Sequence, residues 1–237
     1  FRWLGPDEYD TQIPVRLPDP LPEIHVDQSP SFTTRGFHGG EDRGGEAFLL
    51  WMARNKLNLW FAAESNKPFC RKLCLKFIAG GHSIYARYVP PEECFDAHPE
   101  WYCLFGGERK GEIERGFGYN ICFSNAECRQ ELADRMVEDL ISGDNQWCDI
   151  IQVWPLDNGK WCECEDCQEM GSPTDQTFVL AHDCRQAILK ARKKGRLNRE
   201  VRVDVPAYHE TLPIPTRPLP EGFDHEGTLV IFFTIER

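Results

Sequence analysis

The sequence has little that would hold a nucleotide or cross a bilayer. Its apolar runs, such as 229–233, are far too short for a membrane-spanning helix. Gly39-Gly40 and Gly44-Gly45 fit no glycine-rich dinucleotide fingerprint, and there is no P-loop. No Gly-x-Ser-x-Gly elbow occurs, which removes the usual α/β-hydrolase nucleophile. Positive charge is in deficit: 27 Lys+Arg against 38 Asp+Glu leave a net charge of −11. An acidic chain repels phosphate backbones, so nucleic acid and anionic membrane surfaces are poor partners. No signal peptide is visible and the first residue is Phe1, which reads as a processed or excised segment. The compartment is left open between secreted, periplasmic and cytoplasmic, and the oligomeric state is open too.

What is present is ample for a folded core. The 237 residues allow one or two domains, and one large α/β domain fits equally well. Hydrophobic residues at 41% and aromatic residues at 12% argue against disorder. The 11 cysteines cannot all pair internally. Such usage suits an oxidising compartment with one thiol left over, or a reduced one with a metal site.

Residues 1–30 read as an extended connector, with Pro6, Pro14, Pro18, Pro20, Pro22 and Pro30 excluding a helix. From residue 31 a βα alternation begins. Strands are predicted at 34–38, 58–63, 84–89, 149–155, 200–205 and 228–234. Helices are predicted at 46–57 and at 68–78, where Leu73 and Phe77 stand at i, i+4. A third helix starts at Ser124-x-x-Glu127, a capping box. Its apolar stripe is Cys128, Leu132, Met136 and Leu140, with Gly143 as its stop. A fourth starts at Ser172-Pro173-x-Asp175 and runs to about 194, ending in cations before Gly195. Strands alternating with helices imply α/β architecture with parallel strands, open or closed as a barrel. The stretch 90–123 is too long for a simple connection and reads as a loop or subdomain over the strand-end face.

Parallel architectures collect functional residues beyond the carboxyl ends of their strands. Here those positions hold Arg35 and His38, Glu64 and Asn66, Asp157 and Asn158, then Tyr208, His209 and Glu210, and finally Glu236, while His82 lies by the strand at 84–89. Single polar residues there are commonly helix caps. As a run of carboxylates, imidazoles and guanidinium, joined by the rings of Trp101, Trp154, Trp161 and Tyr208, they suit a sugar-binding cleft. Rings stack on the C–H faces of sugars while polar groups bind hydroxyls.

Cys162-x-Cys164-x-x-Cys167 is tight enough for two or three thiolates to reach one tetrahedral zinc ion. Cys122, Cys148 or a His could complete it, and a disulfide is the rival arrangement. A nucleophilic thiol is disfavoured, because Glu163, Glu165 and Asp166 oppose the thiolate. His98-Pro99-Glu100 with Cys164-x-x-Cys167 imitates a zinc deaminase, but Glu163 stands where that signature has proline.

Several motifs taken together resemble a known family. They are Phe1-Arg2-Trp3-Leu4, Arg35-Gly36-Phe37-His38, the run Trp51-Met52-Ala53-Arg54-Asn55-Lys56-Leu57-Asn58, and Gly80-Gly81-His82. His98-Pro99-Glu100-Trp101, Cys122-Phe123-Ser124-Asn125 and Asp157-Asn158 with its following cysteines complete the set. The chain resembles, over nearly its whole length, the bacterial family called domain of unknown function 4838. That family looks like a relative of the family 20 β-hexosaminidases and family 67 α-glucuronidases. The resemblance implies a TIM-barrel-like (β/α)8 fold, of which this chain would hold a six-strand portion, and carbohydrate chemistry. It also implies an extra domain before Phe1. Family 20 enzymes place an Asp-Glu pair after strand 4, where this chain reads Asp157-Asn158.

Glycoside cleavage needs an acid for the leaving oxygen and a second carboxylate as base or nucleophile. Related barrels place the acid after strand 4, which points to Asp157, with Trp154 and Trp161 excluding water. Asp157-Asn158-Gly159 is equally the sequence of a capped turn. The second carboxylate would be Glu210 or Glu236, unless it lies on strands this chain lacks. Arg35, His38, Glu64, His82, Trp101, Asn158, Tyr208 and His209 would bind substrate. No cofactor is required beyond a possible structural zinc. The competing readings are a non-catalytic carbohydrate-binding barrel and a zinc-stabilised interaction module.

Overall fold

The computed structural model describes residues 19–20, 23, 25–37, 45–60, 67–114 and 116–233. His38, Glu64, Asn66 and Glu236 lie outside the described residues. The chain divides into two compact units, Phe1–Ile78 and Ala79–Arg237.

In the first unit, helix α1 (Glu46–Arg54) is followed by strand β1 (Leu59–Trp60), helix α2 (Lys67–Lys72) and the start of strand β2 (Lys76–Gly81). Strand β1 runs parallel to β2, with Trp60 opposite Phe77. Both helices end in the same way. Lys56 and Cys74 adopt left-handed backbone at φ 62° and 55°. The next amide then reaches back to close the turn, Leu57 to Met52 O at 2.9 Å and Leu75 to Cys70 O at 3.0 Å. The helix expected across 68–78 therefore stops at Lys72, and the Leu73/Phe77 spacing belongs to a turn and a strand. The strand expected at 34–38 is reduced, among its described residues, to one bridge between Gly36 and Leu59.

The second unit continues β2 through Ala79–Gly81. Helices α3 (Ile84–Tyr88) and α4 (Pro91–Cys94) come next. The strand expected at 84–89 is thus a helix. Ile84, Tyr85 and Tyr88 share one buried face at helical spacing, and the true strand lies upstream at 76–81. The excursion 90–123 contains two antiparallel hairpins, β3 (Cys103–Phe105) with β4 (Glu108–Lys110), and β5 (Ile113–Glu114) with β6 (Phe117–Gly118). Helix α5 (Ala126–Ser142), strand β7 (Ile150–Val153), helices α6 (Glu165–Met170) and α7 (Pro173–Lys193), strand β8 (Arg202–Ala207) and strand β9 (Thr228–Phe232) complete it. Strands β7, β8 and β9 are parallel neighbours, and β7 lies between β2 and β8. Gly80 allows that approach: a Cβ there would sit 2.5 Å from Gln152 O. Five strands, where six were expected, therefore carry the parallel pairing among the described residues. The chain is a mixed α/β protein.

The long helices form where periodicity and caps place them. Cys128, Leu132, Ala133, Met136, Val137 and Leu140 of α5 are all buried. Its cap, however, is Asn125, whose side chain accepts from Cys128 N at 2.9 Å, and Ser124 is turned elsewhere. Helix α7 starts where expected, and there a capping box joins Ser172 and Asp175. Asp175 also accepts from the amides of Thr216 and Arg217 at 2.8 and 2.9 Å, fixing the loop that follows β8. Burial raises its pKa, but these donors more than offset it and hold the carboxyl at about 2. No helix among the described residues is long and apolar enough to cross a membrane.

Buried Arg185 of α7 ties the sheet edge together. It donates to Val201 O at 2.6 Å and pairs with Asp224 at 2.7 Å and Glu200 at 2.6 Å. Arg196 by contrast pairs with Glu138 in the open, both being about half exposed. Removing one partner of a buried pair leaves an uncompensated charge, whereas exposed pairs contribute little. Arg185→Met should therefore lower unfolding free energy in urea by about 3 kcal/mol. Arg196→Met should change it by less than about 1 kcal/mol. Equal effects of the two substitutions would refute this ranking.

Candidate functional site

The carboxyl ends of β7 and β8 bring five sequence-predicted residues together: His82, Trp154, Asp157, Tyr208 and His209. The peptide leaves β7 through Trp154, Pro155 and Leu156 and then turns, with Gly159 N bonded to Leu156 O at 3.1 Å. Asn158 occupies the left-handed region at φ 52°, so the Asp-Asn-Gly turn does form. Within the turn the Asp157 carboxylate takes one long bond, from Asn158 Nδ2 to Oδ1 at 3.4 Å. Oδ1 lies 3.8 Å from His209 Nε2, too long for a hydrogen bond but close enough to tighten around a ligand. His209 also has left-handed backbone, at φ 48°. Non-glycine residues in that region carry strain of about 1 kcal/mol or more, and such residues cluster at functional sites.

Rings wall this carboxylate–imidazole pair. His82 packs against Trp154 with centroids 5.1 Å apart, and Tyr208 lies 3.6 Å from His209 and 6.5 Å from His82. Phe233 closes the group against Trp154 and Tyr208 at 5.3 and 5.8 Å. His82 Nδ1 is 2.6 Å from Pro155 O. A carbonyl only accepts, so Nδ1 carries a proton in this contact, and in that tautomer Nε2 is the ring's acceptor.

Asp204, which sequence reasoning missed, sits beneath this group. It is fully buried in the middle of β8. Trp154 Nε1 donates to it at 2.6 Å and Gln152 Nε2 at 3.3 Å. Burial pushes its carboxyl up to about 7 and the two donors only partly oppose that. The only sequence signal was a lone Asp between valines in an apolar strand.

Other predicted residues sit elsewhere. Glu210 is exposed on the short 3-10 turn His209–Thr211. Trp161 is half-buried and stacks on Phe123 at 5.2 Å. Trp101 is buried and stacks on His98 at 4.1 Å, so its faces are already occupied on that side. In the first unit, Arg35 donates to Lys56 O at 2.7 Å and to Phe32 O, which braces a turn.

The loop after β7 also carries a cysteine cluster. Cys162, Cys164 and Cys167 meet Cys122, and the four sulfurs all lie within 4.8 Å of one another. Cys122 Sγ is 3.7 Å from both Cys164 Sγ and Cys167 Sγ. Cys162 and Cys167 are buried and Cys164 half-buried, at the start of α6. Cys148, the other cysteine suggested as a fourth member, is instead buried near β7 with its thiol 2.9 Å from Ile150 O.

Asp204 gives a pH test. Between its unfolded pKa of 3.8 and its folded value of about 7, the native state keeps a proton that the unfolded state has lost. The stabilisation is full below the unfolded pKa, declines as pH rises, and is gone above about 7. The ceiling is a few kcal/mol at ~1.4 kcal/mol per pKa unit. The urea midpoint of the native protein should fall from pH 5 to pH 8 more steeply than that of Asp204→Asn. Identical slopes would show that Asp204 is not the titrating group.

No curated protein and no solved structure matches the chain. A family model described as domain of unknown function (DUF4838) matches residues 7–181. That span takes in β2 with His82, the whole excursion 90–123 and the loop after β7 with Asp157 and its cysteines, and on this match the chain belongs to the DUF4838 family.

Proposed function

We propose that the protein is carbohydrate-active, a glycoside hydrolase whose parallel strands form part of a TIM-like (β/α) barrel. The observation that carries this reading is the Asp157–His209 pair, enclosed by His82, Trp154 and Tyr208 at the carboxyl ends of two adjacent parallel strands. In parallel α/β folds that is where ligands bind. Flat ring edges beside a carboxylate and an imidazole suit a sugar ring, whose C–H faces pack on aromatics and whose hydroxyls need both donors and acceptors.

In this reading Asp157 protonates the leaving glycosidic oxygen. His209, facing its Oδ1, orients the carboxyl and holds the proton's return path. His82, with its Nε2 open as an acceptor, binds a hydroxyl, and Tyr208 supplies a ring face and a phenol. The second carboxylate is Glu210, next to His209, or Glu236 beyond β9. A retaining enzyme would hold the two carboxyls about 5 Å apart and an inverting one up to roughly 9 Å.

The reading is tested by screening the protein against aryl glycosides and plant or algal oligosaccharides, with Asp157→Asn alongside. Turnover should fall by roughly 10²- to 10⁴-fold in the variant while sugar affinity and circular dichroism are retained. Unchanged turnover removes Asp157 from the chemistry. Sugar binding with no hydrolysis by either protein would favour the non-catalytic carbohydrate-binding barrel.

A further inference from the structure

We propose that Cys122, Cys162, Cys164 and Cys167 form a tetrathiolate site for one structural zinc ion. The ion would clasp the excursion 90–123 to the loop after β7. This inference stands apart from the carbohydrate reading, since it concerns how that loop is held and not what binds beside it.

Geometry is the first support. A regular tetrahedron of sulfurs about 2.3 Å from zinc has edges of roughly 3.75 Å. Cys122 Sγ stands 3.7 Å from Cys164 Sγ and 3.7 Å from Cys167 Sγ. All six separations among the four sulfurs stay within 4.8 Å. A disulfide would need about 2.05 Å, and a bridge could join only two of the four. The four converge on one centre and not in pairs.

The surroundings are the second support, and they are independent of the sulfur spacing. Leu104 N donates to Cys162 Sγ at 3.2 Å and Ser124 N to Cys167 Sγ at 3.3 Å. Ser124 Oγ lies 3.2 Å from Cys167 Sγ and 3.3 Å from Cys122 Sγ. Arg109 Nη1 approaches Cys162 Sγ at 3.9 Å. A neutral thiol is a weak acceptor, and backbone amides rarely commit to one. Donors aimed at sulfur from strand β3, strand β4 and the turn before α5 are what ligating thiolates require of their outer shell. Four thiolates and Zn²⁺ sum to −2, which the Arg109 guanidinium partly balances.

The chemistry then selects the ion and its role. Four sulfur donors reject magnesium and calcium, which take oxygen ligands. With all four positions filled by protein and three of the sulfurs buried, no coordination site is left for water or substrate. On binding, four S–H bonds give up their protons to solvent as the thiolates take the metal, with no change of oxidation state. Cys103 is a near neighbour but not a ligand. Its Sγ turns to Leu104 O at 3.7 Å and Lys160 O at 3.8 Å, carbonyls that want an S–H donor.

The test is the metal content of protein purified without chelator, with the wild type also titrated with Co²⁺ after zinc removal. One zinc per chain is expected, and the cobalt form should show thiolate-to-metal charge transfer with tetrahedral d–d bands. Cys122→Ser and Cys167→Ser should each weaken zinc binding by more than about ten-fold, whereas Cys103→Ser should keep the full zinc content. If the ligand variants do not fold, mercurial titration of the wild type decides, since zinc should leave as four thiols react. Iron in place of zinc, a metal-free wild type with countable free thiols or a disulfide, an octahedral cobalt spectrum, or zinc retained in both ligand variants would overturn the proposal.

Discussion

The stretch between β7 and α6 has no strand or helix of its own, yet it carries Asp157 and Trp154 and meets His82 and His209. What fixes it is a set of hydrogen bonds to the excursion 90–123. Asp157 N bonds Gly116 O at 2.7 Å, Lys160 N bonds Gly118 O at 2.8 Å, and Glu163 N bonds Leu104 O at 2.7 Å. Buried Asn120 reaches the same loop twice, accepting from Leu156 N at 2.9 Å and donating to Lys160 O at 3.1 Å. A loop packed against protein must satisfy its inward amides and carbonyls, and here the partners are the hairpins of the excursion and the turn between them. Each segment is therefore the other's template. That mutual dependence explains why a stretch as long as 90–123 persists in a compact unit.

A second constraint acts from below. Trp154 cannot choose its rotamer freely, because its indole N–H is held by Asp204 inside the sheet. The ring orientation that His82 and Phe233 pack against is thus set by a fully buried carboxyl inside the sheet. Burying that group as a neutral acid avoids most of the desolvation penalty a charged one would carry, and both of its oxygens still accept.

These constraints differ in how legible they are in the sequence. Helices α5 and α7 declare themselves because long amphipathic periodicity and capping residues agree, and strands β7, β8 and β9 because apolar runs there are short and bounded. Strand β2 was hidden because Leu73 and Phe77 mimic a helical repeat. Helix α2 ends at Lys72, and Cys74, with left-handed backbone without being glycine, turns the chain between Leu73 and Phe77. Ser124-x-x-Glu127 matched a capping box, but Asn125 competes for the same role one residue later, and Ser124 is drawn to the Cys167 sulfur. At the strand ends, Asp157, Tyr208 and His209 followed from the rule that parallel strands gather function at their carboxyl ends, whereas His82 stands at one only because the true strand is 76–81 and not 84–89. Their mutual facing did not follow, since it depends on the turn at 156–159 and on His209 backbone geometry. Asp204 was illegible for a simpler reason: nothing local tells a buried acid from an exposed one.

The cysteines show where local pattern gives way to topology. Three of them, 162, 164 and 167, lie within one turn of chain and would converge in almost any compact loop. The fourth, Cys122, is 42 residues before Cys164 and becomes its neighbour only because the excursion returns to the start of α5. Closing a loop of that length restricts the unfolded chain by an amount that grows only slowly with its size. Most of the stabilisation from such a clasp therefore depends on joining these two segments at all, and little on how many residues lie between them. Two irregular segments that template each other through backbone bonds alone would open together if either loosened. A closed four-sulfur junction at one end, with the Asn120 and Gly116 contacts at the other, holds the intervening turn at both ends. Asp157 sits at the near end of that span, its amide on Gly116 O, and a metal at the four sulfurs, as proposed, would tie down the far end.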